Sequence, residues 1–186
     1  RTMCQSGLTR SAAGGASSGV SAASRIAQRG GNDAVLIADG SRLAAQAAAV
    51  LRPRGAGSVQ ILGTELWSGE SDVTRSAALR GAWFSAISDG RFKRFSDSYK
   101  TRFGAQPYRV STLGYDAVLL ALRVAKDWKP GRSFPTAKLR DEGGFLGLDG
   151  AFRFGRNGVV QRAMEVREVR NGQVVLVEPA PAQFAN

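Results

Sequence analysis

The chain has 186 residues, of which 43% are hydrophobic and 22% are charged, so it holds enough apolar material for one domain with a buried core. It contains no histidine and one cysteine, Cys4, which excludes an internal disulfide, a multi-cysteine zinc site and the Ser-His-Asp and Cys-His arrangements of nucleophilic enzymes. The formal net charge is +11, yet the basic residues are spread along the chain. This spread favours solvated basic faces over a nucleic-acid surface, with polyanion binding as an alternative.

The first 19 residues are small and polar, which predicts a flexible N-terminal segment. No apolar region follows Arg1 as it would in a signal peptide, and no run of 18 apolar residues predicts a membrane span. A helix is predicted over residues 20–29, and Gly30 and Gly31 are typical of a helix end.

Two short apolar runs predict neighbouring strands. Residues 34–38 form a continuous apolar run, typical of a strand covered on both faces, and residues 59–62 form the next strand. The alanine-rich residues 42–51 between them predict a helix. A strand-helix-strand unit implies parallel strands whose carboxyl ends lie at one edge of the sheet, which is where ligands bind in open α/β sheets.

Two amphipathic helices are predicted in the middle of the chain, after a strand over residues 82–87. The helix over residues 90–103 carries an aromatic stripe that we expect to lie in the core, formed by Phe92, Phe95, Tyr99 and Phe103. The helix over residues 111–128 should direct four side chains inward, namely Tyr115, Val118, Leu119 and Leu122. A short helix over residues 137–141 follows.

The C-terminal part of the chain predicts antiparallel strands. Residues 152–154 and 159–169 have strand character, and Asn171-Gly172 is typical of a tight hairpin turn before residues 173–177. No glycine-rich phosphate-binding motif precedes a helix. Glu65 and Glu70 are a pair of carboxylates, but their spacing in the sequence does not place a substrate between them, as a glycosidase would require. The sequence therefore predicts a protein that is not an enzyme and that has no cofactor and no metal site.

Three sequence motifs occur in an order that is typical of a known protein family. Residues 95–104 lead to Pro107 and then to residues 113–118, Leu-Gly-Tyr-Asp-Ala-Val, and residues 147–154 precede Asn157-Gly158. This order resembles the type I periplasmic binding proteins, the leucine/isoleucine/valine-binding superfamily, and within it the bacterial penicillin-binding-protein activators, which are envelope lipoproteins. The resemblance covers about residues 20–178. Because a complete member has two α/β lobes and is about twice as long, the resemblance implies a C-terminal portion.

The fold expected from pattern and resemblance together is α/β, an open parallel sheet flanked by helices, with a C-terminal antiparallel hairpin. The resemblance divides the chain into four regions. They are a flexible segment (1–19), a second-lobe βαβ region (20–88), a helical part resembling the return into the first lobe (89–146), and the final crossing with its hairpin (147–186).

The candidate ligand-binding residues follow the two predicted parallel strands, where the family's crevice contacts fall. Backbone amides at the start of a helix can bind the carboxylate of a ligand. Glu65 could pair with the ligand's ammonium group, and Trp67 could pack against its apolar side chain. Helix capping by Asp39 or Ser41, solvation of Glu65 and hinge packing by Trp67 are the alternatives. Tyr115, from the Tyr-Asp-Ala motif of the resemblance, is a further candidate, with packing at the start of its helix as the alternative. The full candidate set is Asp39, Gly40, Ser41, Thr64, Glu65, Trp67 and Tyr115.

The resemblance implies a non-enzymatic solute-binding or sensing protein of the envelope, in the periplasm or anchored to the outer membrane. It would hold an amino acid or peptide by hinge closure and deliver it to a membrane transporter. The alternative from another class is a regulatory protein that activates a cell-wall synthase, a penicillin-binding protein, without binding a small ligand. An exposed hinge face also leaves a homodimer open.

Overall fold

The computed structural model describes residues 33–52 and 59–184. The flexible segment predicted over residues 1–19 and the helix predicted over residues 20–29 lie outside this range. The described residues group into two compact units. The first contains the residues up to Trp83 together with Val169–Val174, and the second contains Phe84–Glu168 and the residues from Val175 onward.

The first unit begins with the predicted βαβ arrangement. Strand β1 (Ala34–Ile37) is followed by helix α1 (Ser41–Leu51) and strand β2 (Gln60–Gly63). The two strands pair in parallel, with Ala34 opposite Gln60 and Ile37 opposite Gly63, as the sequence predicts. Helix α1 is rich in alanine, the residue with the highest helix propensity, and its buried face includes Ala44, Ala48 and Leu51.

Strand β1 differs from the prediction in its burial. The apolar run predicts cover on both faces, but exposure alternates along the strand, and the side chain of Leu36 is 62% exposed. Val35 and Ile37 pack against Ala47 and Leu51 of helix α1, so within residues 33–52 and 59–184 one face of β1 is covered and the other is exposed at Leu36. An apolar run alone does not reveal how many faces of a strand are covered.

The remainder of the first unit covers this layer with short elements. They are a 3-10 turn (Glu65–Trp67), helix α2 (Ser71–Arg75) and a second 3-10 turn (Ala77–Leu79), which leads into strand β3 (Trp83–Ala86). Their apolar side chains fill the core, and Val73 and Leu79 are both fully buried. The guanidinium group of Arg52 donates to the carbonyl oxygen of Ala78 at 2.8 Å, which fastens the end of α1 to the second turn.

The second unit contains two longer helices, α3 (Gly90–Phe103) and α4 (Ser111–Ala125), and a 3-10 helix (Thr136–Arg140). Helix α3 has the predicted bounds and ends at Gly104, whose φ of 76° suits a residue without a Cβ atom. Helix α4 ends at Ala125, three residues before the predicted end at Trp128. No helix in residues 33–52 or 59–184 is long and apolar enough to cross a membrane.

The predicted inward face is wrong for α4 and is met in part for α3. On α4 the four side chains expected in the core are all exposed: Tyr115 44%, Val118 60%, Leu119 46% and Leu122 63%. On α3 the aromatic stripe is half-buried at Phe92, Phe95 and Tyr99, and Phe103 is 60% exposed. The described residues thus leave the predicted face of α4 largely uncovered and cover that of α3 in part.

The C-terminal strands form two sheets. Strands β4 (Phe145–Gly147), β5 (Gly150–Phe154) and β6 (Val160–Arg162) form an antiparallel sheet. Strands β7 (Glu165–Arg170) and β8 (Gln173–Glu178) complete a five-stranded sheet of order β1-β2-β3-β7-β8, which is mixed, mostly parallel and flanked by helices. Asn171 and Gly172 both have positive φ, as the predicted hairpin turn requires.

Candidate functional site

Two loops of the first unit lie at the same edge of the sheet. Because Ile37 and Gly63 are register partners in parallel strands, the loops that follow β1 and β2 leave the sheet side by side. The first loop carries Asp39, Gly40 and Ser41, and the second begins at Thr64. The structure therefore brings together six of the seven sequence-predicted candidates, which are Asp39, Gly40, Ser41, Thr64, Glu65 and Trp67.

The loop after β1 leaves the start of helix α1 without a side-chain cap. Gly40 is the N-cap residue and has no side chain to offer, and no side chain in residues 33–52 or 59–184 caps the first turn. The Oδ1 atom of exposed Asp39 accepts from the backbone amide of Gly40 at 2.7 Å, and Ser41 is 4% exposed. The amides of the first turn are therefore free to donate to an anionic group.

Trp67 ties the two loops together. Its indole Nε1 donates to the carbonyl oxygen of Asp39 at 2.9 Å, and the side chain is 1% exposed. The ring lies directly over Gly63, where a Cβ atom would stand 2.5 Å from the indole carbons. This geometry matches the packing role that the sequence left open for Trp67, and it explains why the last residue of β2 is glycine.

Thr64 has an unusual environment in this loop. Among the described residues, its Oγ1 is the buried side-chain oxygen that lacks a hydrogen-bond partner. A buried hydroxyl without a partner costs about 1–3 kcal/mol, so such groups are rare in folded proteins and mark places where a partner is expected. The neighbouring Glu65 is exposed and carries a carboxylate at the same edge.

The seventh candidate, Tyr115, lies in the second unit on helix α4. Its ring centroid is 5.2 Å from that of Phe95, so one side of the ring is used in packing between α3 and α4. The structure does not join it to the other six candidates within one unit.

The sequence did not identify a set of polar contacts that organises the second unit. Both carboxylate oxygens of buried Asp116 accept from the backbone amide of Leu148, at 2.8 and 3.0 Å. Gly147 lies against the same carboxylate, and a Cβ atom there would overlap it. Asp116 belongs to the Tyr-Asp-Ala motif, and the available signal was that it is the one acidic residue of α4.

A chain of ion pairs extends from the same loop. Asp149, only 3% exposed, accepts from Thr112 Oγ1 at 2.6 Å and from the guanidinium of Arg109 at 2.9 Å. Arg109 also pairs with Asp89 at 2.8 Å, and the other carboxylate oxygen of Asp89 pairs with Arg167 at 2.7 Å.

These neighbours change the pKa of Asp89. Burial raises this pKa, but hydrogen bonds and charges from Arg167 and Arg109 outweigh burial and hold it below its ordinary value. The pKa of Arg167 is raised, because its bonds to Asp89 and Glu165 outweigh its own desolvation. In residues 33–52 and 59–184, no group of three or more His, Cys, Asp or Glu side chains could hold a metal ion.

No family model and no curated protein matches this chain, but solved structures do. One is the leucine-binding protein LivK of Thermotoga maritima, with a TM-score of 0.56 and 24% identity over 86% of this chain and 47% of that one. Another is the C-domain of LpoA from Haemophilus influenzae, described as a regulator of PBP1A, with a TM-score of 0.58 and 19% identity over 85% and 49%.

A third is a solute-binding protein from R. palustris in complex with benzoate, with a TM-score of 0.53 and 19% identity over 89% of this chain and 48% of that one. The chain therefore spans about half the length of these structures. These similarities confirm the fold, which is that of the type I periplasmic binding proteins.

Proposed function

We propose, from its type I periplasmic-binding fold, that this chain belongs to a non-enzymatic envelope protein that binds a small molecule at the carboxyl edge of β1 and β2. An amino acid or short peptide fits the chemistry of this edge. Its carboxylate would accept from the uncapped first turn of α1, and its ammonium group would pair with Asp39 or Glu65.

The observation that carries this proposal is the unpartnered Oγ1 of Thr64. It lies next to exposed Glu65, in a loop that Trp67 joins to the loop after β1. The described residues leave this hydroxyl without a partner, and a ligand whose binding shifts the loop would bring a polar group to it. Trp67 would act in this site as a positioning residue, because its buried ring fixes both loops.

The test is calorimetric titration of the full chain with the common amino acids and with dipeptides. We expect saturable binding of at least one of them and, by mass action, a rise in melting temperature, since ligand at about 100 times Kd stabilises by about 2.7 kcal/mol. The variant Glu65→Gln should weaken that binding about tenfold or more, because it removes a charged partner. Glu70→Gln, which removes an exposed carboxylate at the N-cap of helix α2, is the matched control.

The variant Thr64→Val separates the hydroxyl from the shape of the side chain. In the absence of ligand it should stabilise the chain by up to about 1 kcal/mol, because it replaces an unpartnered hydroxyl by a methyl group of the same shape. With ligand it should weaken binding. A Thr64→Val protein that is less stable than wild type, or a wild-type chain that binds none of the compounds, would contradict the site.

A second candidate function is supported by helix α4. Its exposed apolar side chains, among them Val118 and Leu122, form a surface suited to a protein partner. We infer from this surface a regulatory protein that docks on a cell-wall synthase of the penicillin-binding-protein class, at the periplasmic side of the envelope. Purified synthase whose activity rises with this chain, and does not rise with a Leu122→Asp variant, would favour this function over solute delivery to a transporter.

A further inference from the structure

A cavity of about 440 Å³ in the second unit is lined by positively charged side chains and is not part of the site proposed at the edge of β1 and β2. Arg91 and Arg94 of helix α3, one turn of the helix apart, line it. The other lining residues are largely apolar and include Leu146, Ala151 and Pro181. The size lies in the range of small-molecule sites.

The described residues do not neutralise the two guanidinium groups. Both side chains are exposed, and neither forms an ion pair or hydrogen bond with any residue in the described ranges 33–52 and 59–184. None of the residues that line the cavity is acidic. The carboxylate nearest in sequence, Asp89, has both oxygens engaged, one by Arg109 and one by Arg167.

The engagement of Asp89 has a second consequence for the same cavity. Asp89 is the N-cap residue of α3, but its carboxylate does not cap the helix. Gly90 and Arg91, which begin the helix, line the cavity as well. The cavity thus combines two fixed-charge arginines with the positive end of a 14-residue helix.

We propose that this cavity binds a small organic anion. Its carboxylate or phosphate group would be held by Arg91 and Arg94, and its apolar body would lie against Leu146 and Pro181. Arginine suits this task because its planar guanidinium group forms paired hydrogen bonds to either kind of oxyanion. The site is independent of the proposed amino-acid site at the edge of β1 and β2.

The experiment titrates the full chain, by calorimetry at about 0.15 M salt, where the Debye length is about 8 Å, with three probes: phenyl phosphate, 3-phenylpropionate and inorganic phosphate. At least one of the two phenyl compounds should bind saturably and more tightly than inorganic phosphate, and the stronger of them identifies the oxyanion. The double variant Arg91→Gln/Arg94→Gln should weaken that binding about tenfold or more. Leu146→Ala should weaken the phenyl compound while leaving inorganic phosphate unchanged.

The matched control is Lys93→Gln/Lys100→Gln, which removes the same two charges from exposed positions of the same helix that do not line the cavity. Its binding should remain within about twofold of wild type, since long-range attraction between exposed charges is weak and screened. Equal weakening in both double variants would overturn the proposal in favour of general attraction to a basic chain. The absence of saturable binding of both phenyl compounds to wild type would overturn it as well.

Discussion

Helices α1 and α4 are held in their units by different forces. The buried residues of α1 are mainly apolar, among them Ala44, Ala48 and Leu51, and Ala47 and Leu51 pack with Val35 and Ile37 of β1. Helix α4 buries Val124, but its other two buried residues are polar, Thr112 and Asp116, and both bond to the loop at residues 148–149.

The difference shows that the presence of an apolar stripe on a helix and the burial of that stripe are separate properties. A stripe predicts that an apolar surface covers the helix, and on α1 the first unit supplies that surface. On α4 the stripe of Tyr115, Val118, Leu119 and Leu122 is exposed, yet the helix is fixed through its polar side chains. A helix can thus be positioned by a few buried hydrogen bonds while its apolar face remains available to other molecules.

Truncating one leucine in each helix tests this comparison with the largest expected effect. Leu51→Ala should cost about 2–5 kcal/mol of unfolding free energy, because Leu51 is 1% exposed and its removal leaves a cavity. Leu122→Ala should change it by no more than about 0.5 kcal/mol, because Leu122 is 63% exposed. Chemical denaturation, followed by circular dichroism, measures both.

The concentration of protein gives a control for this pair. If Leu122→Ala is costly, and more so at high protein concentration, then the face of α4 is covered by a second copy in solution, as the homodimer alternative requires. If it is costly at every concentration, the exposed position of Leu122 is wrong and the comparison fails.

The sequence predicted the parts of the fold that depend on pattern. Alternation of strand and helix was sufficient for the parallel pairing of β1 and β2, and hence for the shared edge of Asp39 and Thr64, because connection rules leave few topologies. The Asn171-Gly172 turn was predictable for a local reason, since both residues tolerate positive φ.

What the sequence did not reveal depends on contacts between distant residues. The bond from Trp67 Nε1 to Asp39 spans 28 positions, and the bond from Arg167 to Asp89 spans 78. No periodicity encodes such pairs. The unpartnered hydroxyl of Thr64 was equally hidden, because burial of a single oxygen is a property of packing and not of residue type.

A glycine substitution tests how closely the polar anchor of α4 is fitted. Gly147→Ala should destabilise the chain by about 1–3 kcal/mol, because the new methyl group would overlap the carboxylate of Asp116. Gly114→Ala in the same helix is the control, since a Cβ atom there meets nothing within 4 Å, and alanine should stabilise the helix by up to about 1 kcal/mol. Thermal unfolding monitored by calorimetry distinguishes the two signs.

A double variant identifies Asp116 as the cause of that effect. Asp116→Ala alone should cost about 1–3 kcal/mol, because the amide of Leu148 loses its acceptor. Once Asp116 has been shortened, the methyl group at position 147 has room, so the double variant should be less destabilised than the sum of the single variants. Strict additivity would show that Gly147 is needed for another reason.

The smallest expected effect is a loss of stability at low pH, and this loss should differ between the two units. An aspartate whose pKa is lowered on folding stabilises the folded state at pH values above its ordinary pKa, and this stabilisation is lost as the pH falls through the folded pKa. For Asp89 that loss lies below pH 3.8, its ordinary value, because Arg167 and Arg109 outweigh the effect of burial. The loss should be small, since the Asp89 side chain is 58% exposed and water screens its ion pairs.

Hydrogen exchange detected by mass spectrometry can locate this loss. Between about pH 4 and about pH 2, protection in the second unit around Asp89 and the start of α4 should fall further in wild type than in Asp89→Asn, which has no charge to lose there. Protection of α1 should fall equally in both proteins, because that helix is anchored by apolar contacts that do not titrate. An acid-dependent difference in α1 as large as in α4 would mean that the two anchors are not separate, and the contrast between the helices would have to be abandoned.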